Sequence, residues 1–352
     1  MREQILEGMR QGTPKTGPVS VHIDVTNGCN AACITCWDHS PLLKNPRSND
    51  WKRRRLSRDR FFQIVDELDA MGSVKDVILS GMGDPLTHPH IYEMIGAVKE
   101  RGWKLTVLSN LLAADIDKLA VSGVDSLLVG VQGATPDSYT AFHPGWTEKH
   151  FFTLCRYLRV LQQSGVRTKH VQVINRDTAP EVVDMVDFAK LFSASRVNYK
   201  LASLYDGTEG CSITEEQRDW LLNEGIVLAR EKAQRMGVHT NLDLFEQQLR
   251  AAQQNIRHST DMGAVGCFMG YVYTRITVDQ DVLYCCNTKV KVGSLREHRF
   301  SDLWWGKRWQ KLRDHLRSGL FFSGCEVCGK YEQNRKWMER YGRPLHEALS
   351  NH

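Results

Sequence analysis

The chain has 352 residues, enough to bury a sizeable core, and this length favours one large domain with a smaller one beside it. Apolar residues make up 41% of the sequence and charged residues 25%, and the formal charge of +5 forms no dense basic stripe interleaved with aromatics, so we expect no nucleic-acid partner. The first residues show no signal or transit pattern, and no stretch reaches the roughly 18 apolar residues of a membrane span, so we expect a cytoplasmic protein with no membrane partner.

Short β-branched runs alternate with amphipathic stretches between about residues 20 and 201, a pattern typical of sequential βα units. The predicted strands are 21–26, 76–80, 104–109, 126–131, 169–174 and 197–201. The predicted helices between them are 58–71, 91–101, 116–122, 148–164 and 181–192, the first capped by Ser57. Six parallel strands predict an α/β fold, a partial (β/α)6 TIM-like barrel.

The chain changes character near residue 210, where polar, charged helices are predicted at 215–235 and 242–257 before a segment rich in Cys and Trp. We therefore predict five regions along the chain. They are an N-terminal extension (1–20), the partial barrel (21–210), a helical bridge (211–260), a small C-terminal α+β domain (261–340) and a tail (341–352).

The first chemical motif is CNAACITC, which places Cys29, Cys33 and Cys36 directly after the first predicted strand. Grouped cysteines in a reducing compartment indicate metal binding rather than disulfides. Three thiolates on one short loop can bind three irons of a [4Fe-4S] cluster and leave the fourth iron open to a reactant. The alternative is a structural zinc site with His39 as the fourth ligand.

Residues 22–37, HIDVTNGCNAACITCW, resemble the first strand and cluster loop of the radical S-adenosylmethionine (SAM) superfamily. The resemblance implies that the three cysteines hold a [4Fe-4S] cluster whose free iron binds SAM, and that reductive cleavage of SAM gives a 5′-deoxyadenosyl radical. It also implies an electron donor such as flavodoxin or ferredoxin. The superfamily usually has an aromatic residue just before the third cysteine, whereas here Thr35 takes that place and Trp37 follows the cysteine.

The second predicted strand ends in SGMGDP, residues 80–85. This segment resembles the glycine-rich GGEP-type motif that binds the SAM amino group, with Gly81, Gly83 and Asp84 in the matching places and Asp in place of Glu. Glycine permits close approach of the backbone, and a carboxylate can pair with an ammonium group. We therefore predict that these three residues bind SAM, and a plain turn is the alternative.

Polar residues end the next three predicted strands and resemble superfamily positions that contact the SAM carboxylate or ribose. They are Ser109 and Asn110 after the third strand, Gln132 after the fourth and Asn175 after the fifth. Each is predicted to bind SAM. Each has an alternative interpretation as a helix-cap or turn residue.

Five further cysteines lie near the C-terminus: Cys267, the neighbours Cys285 and Cys286, and the C-x2-C pair Cys325 and Cys328. Four thiolates from three chain segments can enclose a cluster or a zinc ion. The region resembles a shortened SPASM (twitch-type) extension, which implies one auxiliary [4Fe-4S] cluster held by Cys267, Cys285, Cys325 and Cys328. A structural zinc ion is the alternative.

The adjacent cysteines 285 and 286 compete for one ligand position. The spacing favours Cys285, and because successive side chains on a strand point to opposite faces, we expect Cys286 to point away from the cluster. Cys286 is then either a buried thiol without a role or a catalytic hydrogen-atom donor to a substrate radical. Gln280 stands where the SPASM pattern usually has a glycine.

These resemblances imply a radical SAM oxidoreductase or epimerase that abstracts a substrate hydrogen atom. Peptide-modifying members often carry an N-terminal recognition domain, and only about 20 residues precede the first strand, so we expect oxidation (dehydrogenation) or epimerisation of a small, carbohydrate-like natural-product intermediate. A ribosomally made peptide is the alternative substrate. The alternative of another class is a non-catalytic iron-sulfur electron carrier or a zinc-stabilised binding protein. Tyr199, Lys200 and Tyr205 are candidate substrate neighbours.

Overall fold

A computed structural model describes residues 1–253 and 261–346. The strands are β1 Ser20–Thr26, β2 Asp76–Gly81, β3 Lys104–Ser109, β4 Ser126–Gly130, β5 Thr168–Ile174, β6 Arg196–Leu201, β7 His239–Thr240, β8 Tyr273–Ile276, β9 Asp281–Leu283 and β10 Lys291–Ser294. They form one sheet in the order β10-β9-β8-β1-β2-β3-β4-β5-β6-β7.

The helices are mostly short and lie between the strands. They are α1 Arg2–Gln11, α2 Asn49–Lys52, α3 Arg58–Asp69, α4 Ile91–Glu100, α5 Ile116–Val121, α6 Pro136–Phe142, α7 Glu148–Gln163, α8 Asp184–Leu191, α9 Glu215–Trp220, α10 Ile226–Met236, α11 Leu242–Gln253, α12 Met262–Val265, α13 Met269–Val272, α14 Phe300–Trp304, α15 Lys307–Arg317 and α16 Tyr331–Tyr341. A π-helical turn, Leu221–Gly225, joins α9 to α10, so the helix predicted at 215–235 is interrupted. No helix in the described ranges combines the length and apolar content needed to cross a membrane.

Strands β1 to β6 run parallel in sequence order, and this confirms the predicted partial barrel. Alternating residues of each strand face the helices: Val21, Ile23 and Val25 of β1 lie in the same core as Phe61 and Ile64 of α3. The opposite face of the sheet is the barrel interior, and the polar residues of β1, His22 and Asp24, lie on it. Ser57 caps α3 as predicted, because its side chain accepts a hydrogen bond from the Arg60 amide.

The C-terminal segment continues the barrel sheet. Strand β8 pairs in parallel with β1, and β9 and β10 follow in antiparallel order, so the sheet extends beyond β1 on the side opposite β2. The end of the helix predicted at 242–257 and the end of the predicted tail at 341–352 lie outside the described residues.

The first residues form a helix that packs into this C-terminal region. Ile5, Leu6 and Met9 of α1 are buried in the main core, and the Arg317 side chain donates a hydrogen bond to the Met9 carbonyl. The Trp304 indole likewise donates to the Thr16 carbonyl, at 2.9 Å. The segment that precedes the first strand is therefore a structural part of the C-terminal half.

Candidate functional site

The cluster loop follows β1 and presents Cys29, Cys33 and Cys36 as half-buried free thiols. Backbone N–H groups of Ala31 and His39 donate to the sulfur atoms of Cys29 and Cys36, at 3.4 Å and 3.3 Å. Such hydrogen bonds stabilise a thiolate and tune a bound cluster. Burial, and then the charge of Asp84, raise the pKa of Cys29 to about 12, so without a metal this thiol stays protonated at neutral pH.

The donor set fits a cubane. Three thiols stand on one loop of eight residues, and each can bind a different iron. No three His, Cys, Asp or Glu side chains within the described ranges are arranged around a single metal ion. The alternative zinc ligand, His39, has its Nε2 atom 2.9 Å from the Asn27 carbonyl oxygen.

The glycine motif packs directly on the start of the cluster loop. A Cβ atom on Gly81 would lie 2.0 Å from the Thr26 carbonyl oxygen, and one on Gly83 would lie 1.9 Å from the Gly28 carbonyl oxygen. The Asp84 amide donates to the same Gly28 carbonyl, at 2.9 Å. Only glycine permits this approach, so the motif fixes the loop that carries the cysteines.

Asp84 is buried, and its carboxylate already has protein partners. It accepts hydrogen bonds from the Ser109 hydroxyl at 2.9 Å, the Asn110 amide at 2.7 Å and the Leu86 amide at 2.9 Å. Burial raises the pKa of Asp84, and these donors oppose that rise. The carboxylate therefore joins the glycine motif to the end of β3, and the contact of Asp84 with SAM stays a prediction.

The other strand-end residues are placed by local hydrogen bonds. The Asn110 side chain donates to Asn30 of the cluster loop, at 2.9 Å. Gln132 has a left-handed backbone, and its side-chain oxygen accepts from the Val173 amide at 2.7 Å. Asn175 is fully buried, with its side-chain oxygen accepting from the amides of Asp177 and Thr178, which corresponds to the alternative turn role.

The late cysteines come from three segments. Cys267 precedes α13, Cys285 and Cys286 follow β9, and Cys325 and Cys328 bound a short 3-10 turn. Burial raises the pKa of Cys267, and the negative charges of Cys328, Cys325 and Cys286 raise it further. Cys286 also acts on Cys325 and Cys328, so these four thiols lie close together.

Asn334 of α16 connects two of these segments and was not predicted. It is fully buried, accepts a hydrogen bond from the Phe268 amide at 2.8 Å and donates to the Cys328 sulfur at 3.8 Å. The available sequence signal, an Asn six residues after Cys328, is weak. The side chain fixes the C-x2-C pair relative to the segment that carries Cys267.

The expectation that Cys285 and Cys286 point in opposite directions is wrong. Strand β9 ends at Leu283, so both cysteines lie in the bend that follows, where strand alternation does not apply. The Cys285 thiol hydrogen bonds to Cys286, and this contact, with the charges of Lys330 and Arg275, lowers the pKa of Cys286.

A polar network on the interior face was missed by the sequence analysis. Arg275 of β8 donates two hydrogen bonds to the buried Asp24 carboxylate, at 2.9 Å and 3.1 Å, and His22 lies 3.3 Å from the same carboxylate. His22 also hydrogen bonds to Ser80 and, at 3.1 Å, to the Tyr273 hydroxyl. The available signal was the alternation of His22 and Asp24 in an otherwise apolar strand.

The three candidate substrate neighbours separate in the structure. Tyr199 is buried against the helices, where its hydroxyl donates to the Val182 carbonyl at 2.9 Å, so it does not face the interior. Lys200 points to the interior face and is exposed there. Tyr205 packs edge-to-face on Trp37 of the cluster loop, with ring centroids 5.8 Å apart.

The sequence matches two family models, which cover the two cysteine sites. The model of the radical SAM superfamily matches residues 23–189, and that of the SPASM iron-sulfur cluster-binding domain matches residues 267–329. The chain belongs to the radical SAM superfamily. This radical SAM protein therefore binds a [4Fe-4S] cluster and SAM in the barrel region and carries auxiliary iron-sulfur binding in the SPASM region.

The radical SAM assignment agrees with individual relatives. The chain is 22% identical over 304 residues to the AdoMet-dependent heme synthase of Methanosarcina barkeri, covering 83% of each protein. It is 30% identical over 123 residues to the PqqA peptide cyclase of Ruegeria pomeroyi, covering 34% of this chain and 30% of that one. SuiB of Streptococcus suis bound to SAM has the same fold, with a TM-score of 0.64, 16% identity, and coverage of 93% of this chain and 74% of SuiB.

Proposed function

We propose that this protein abstracts a hydrogen atom from a substrate in the barrel interior and then oxidises the substrate radical, with the auxiliary site as electron acceptor. The observation that carries the proposal is the contact between the two halves across the interior. Val173 packs against a group that includes Ile34 of the cluster loop, and its register partner Lys200 interacts with Cys286 of the auxiliary set. These contacts support a reaction in which both cysteine sites face the barrel interior.

The residues of the chain have three tasks in this reaction. The cluster loop would hold the [4Fe-4S] cluster with Cys29, Cys33 and Cys36, and the auxiliary site would use Cys267, Cys285, Cys325 and Cys328. When bound, the SAM cluster and SAM supply the 5′-deoxyadenosyl radical, after one electron arrives from a reductant such as flavodoxin or ferredoxin. The interior holds the substrate away from bulk water, so that the radical meets only its C–H bond.

The balance of an oxidation requires two further transfers. The hydrogen atom goes to the deoxyadenosyl carbon and leaves a substrate radical. The substrate would then give one electron to the auxiliary site, which Cys267, Cys285, Cys325 and Cys328 would hold, and one proton to water or to a base of the interior.

Epimerisation is the second candidate, and the position of Cys286 favours it. This residue interacts with Lys200 of β6 and Arg275 of β8, which are both on the interior face, so its sulfur atom lies on the interior side of the sheet. A hydrogen atom given by a protonated Cys286 to the substrate radical would complete an inversion and leave a thiyl radical. One electron from the external reductant and one proton from water would return that radical to the thiol.

The substrate class follows from the relatives and not from the fold. The matched relatives are named for heme synthesis and for peptide cyclisation, and SuiB has been seen with its precursor peptide. None of these names points to a carbohydrate. We propose either a peptide or a small organic substrate.

The proposal is tested by anaerobic reconstitution, addition of SAM and a flavodoxin or dithionite reductant, and measurement of 5′-deoxyadenosine. We expect 5′-deoxyadenosine from the reconstituted protein and none after Cys29, Cys33 and Cys36 are replaced by Ala. A protein with its full iron content that forms no 5′-deoxyadenosine would be an electron carrier instead. Deuterium from D2O in a turned-over substrate would indicate epimerisation, and its absence from an unsaturated product would indicate oxidation.

A further inference from the structure

The interior face of the sheet carries more positive than negative side chains. The strand register pairs Lys200 with Val173 on the interior face of the sheet. Followed from strand to strand, the register puts Asp24 of β1 and Arg275 of β8 on that same face. Three strand carboxylates lie on this face, and each has a cation nearby. Asp281 of β9 pairs with Lys291 at 2.6 Å. Asp24 is bound by Arg275, and Asp76 lies opposite Lys104 in the register of β2 and β3.

Two lysines from different parts of the chain meet at the end of the cavity that carries the cysteines. Lys200 is the penultimate residue of β6. Lys330 follows the C-x2-C pair, and its ammonium group lies 4.0 Å from the centre of the Tyr273 ring. Tyr273 is on the interior face of β8, beside His22. The charges of Lys200 and Arg275 both act on Lys330, so the three cations face a common space.

Neither lysine has a carboxylate partner in residues 1–253 and 261–346. No ion pair within 4.0 Å involves Lys200 or Lys330, although 22 such pairs occur elsewhere in these ranges. Lys200 lies on the interior face of β6, and burial lowers its pKa. The neighbours of the two lysines are the Cys286 sulfur, which acts on both, and the Tyr273 ring beneath Lys330. The nearby cations still repel one another, and a carboxylate ligand would relieve that repulsion.

A second group of cations adds to the positive field at the other end of the same face. Lys169 and Arg196 start the interior rows of β5 and β6, and Lys336 of α16 lies near enough to act on Lys169. No carboxylate within the described ranges forms an ion pair with any of the three. A low-dielectric cleft lined by one sign of charge attracts ligands of the opposite sign.

We propose that Lys200 and Lys330 bind a carboxylate group of the substrate inside the barrel. The inference rests on the proposed function, because it assumes that the substrate occupies this interior. The shared chemistry is a carboxylate, which a small organic acid or the acidic side chain of a peptide supplies equally. A substrate anchored in this way places its neighbouring C–H bonds between the cluster loop and Cys286.

The rival explanation is that the lysines balance the charge of the auxiliary cluster. Lys330 is two residues from Cys328, and both lysines interact with Cys286. Under this explanation, replacing Lys200 changes the spectrum or the potential of the auxiliary cluster and leaves carboxylate binding unchanged. Under the proposal, replacing Lys200 weakens carboxylate binding.

The test uses the reconstituted holoprotein under anaerobic conditions and isothermal titration with three probes. They are glutarate, a tetraglutamate peptide and, as the neutral control, a tetraglutamine peptide. Lys200→Gln is compared with Lys149→Gln, which replaces an exposed lysine on the first turn of α7, on the helical side of the barrel. Tighter binding of glutarate indicates a small acid, and tighter binding of tetraglutamate indicates a peptide.

We expect at least one anionic probe to bind the wild type and Lys149→Gln equally, and Lys200→Gln about tenfold more weakly, as expected for loss of one charge-assisted partner. Equal affinity in both variants, or no binding of either anion to the wild type, would overturn the proposal. If Lys200→Gln loses iron, acetylation of the lysine amines in the wild type replaces the variant as the test. The bound anion should protect Lys200 from acetylation and leave Lys149 reactive. Equal reactivity of the two lysines would overturn the proposal. A wild type that binds the anions but forms no 5′-deoxyadenosine would defeat the proposed function instead.

Discussion

Asp84 lies where the glycine motif meets β3, and its carboxylate accepts hydrogen bonds from both segments. We predict that Asp84→Ala destabilises the fold, because each buried donor that is left unpaired costs about 1–3 kcal/mol. We also predict weaker SAM binding, because the glycine motif would lose its link to the end of β3, where Asn110 contacts Asn30 of the cluster loop. Chemical unfolding and equilibrium binding of SAM measure the two effects.

Asp115→Ala is the matched control for Asp84. Asp115 also accepts a backbone hydrogen bond, as the cap of α5, but it is exposed and lies away from the interior. Its loss should cost about 1 kcal/mol of stability and leave SAM affinity unchanged. Unchanged SAM affinity in Asp84→Ala would show that the residue is only structural.

Cys285 and Cys286 compete for one ligand position, and their sulfur atoms are in contact. We predict that Cys285→Ala loses the auxiliary iron, whereas Cys286→Ala keeps it and keeps the electron paramagnetic resonance signals of both clusters. Cys286 would then remain available as a hydrogen-atom donor. The opposite result, with iron lost only in Cys286→Ala, would assign Cys286 as the ligand and remove the donor role.

Single residues show where sequence reasoning reaches its limit. The cysteines were predictable because their spacing is local, and a loop that follows a strand has one place in a parallel barrel. The Asp24–Arg275 pair was not predictable, since its members are 251 residues apart in the chain and meet only through the register of β1 and β8. Gln280, which replaces the expected glycine, keeps the left-handed backbone that a glycine would favour.

At the scale of elements, the glycine motif and the cluster loop behave as one unit. We predict that Gly83→Ala displaces the loop, because its Cβ would lie 1.9 Å from a backbone oxygen that cannot move independently. The expected result is loss of iron from the SAM cluster and loss of 5′-deoxyadenosine formation, with the auxiliary iron retained. Iron analysis and the two resonance signals measure this outcome.

Gly96→Ala is the control for Gly83. Gly96 lies within α4, and a Cβ there would meet no atom within 4 Å, so alanine should stabilise the helix by roughly 0.5–1 kcal/mol. Its iron content and activity should match the wild type. Full iron in Gly83→Ala would mean that the loop tolerates displacement and that the motif acts through SAM alone.

The elements themselves were largely predictable from the sequence. The ends of β1 to β6 lie within one residue of the predicted ends, because alternating βα patterns and Gly or Ser boundaries mark them. Helix α1 was not predicted, since its side-chain cap is absent and its apolar residues pack on a partner near the other end of the chain. Local signals give the elements, and distant contacts decide how they assemble.

At the scale of the whole molecule, β1 joins the two halves. It pairs with β2 of the barrel on one side and with β8 of the SPASM region on the other, and the cluster loop leaves from its end. The interior faces of β1 and β8 meet at His22, Asp24 and Arg275. A change at this seam should therefore affect both cysteine sites.

The two cysteine sites predict the iron and sulfide content of the whole molecule. Two cubanes require about eight iron and eight sulfide per chain after reconstitution. Replacing Cys29, Cys33 and Cys36 together by Ala should leave about half of that iron and abolish SAM cleavage, because the late cysteines come from other segments and keep their own cluster. Iron and sulfide analysis, with resonance spectra of the reduced protein, measures the result.

Cys155→Ala is the control for the triple variant, because Cys155 is a free thiol of α7 that packs against the core and belongs to neither set. It should retain about eight iron, since no cubane ligand is removed. Zinc without iron at the late site would overturn the two-cluster prediction. Loss of all iron in the triple variant would show instead that the auxiliary cluster depends on the first one, and the shared strand β1 would be the route of that dependence.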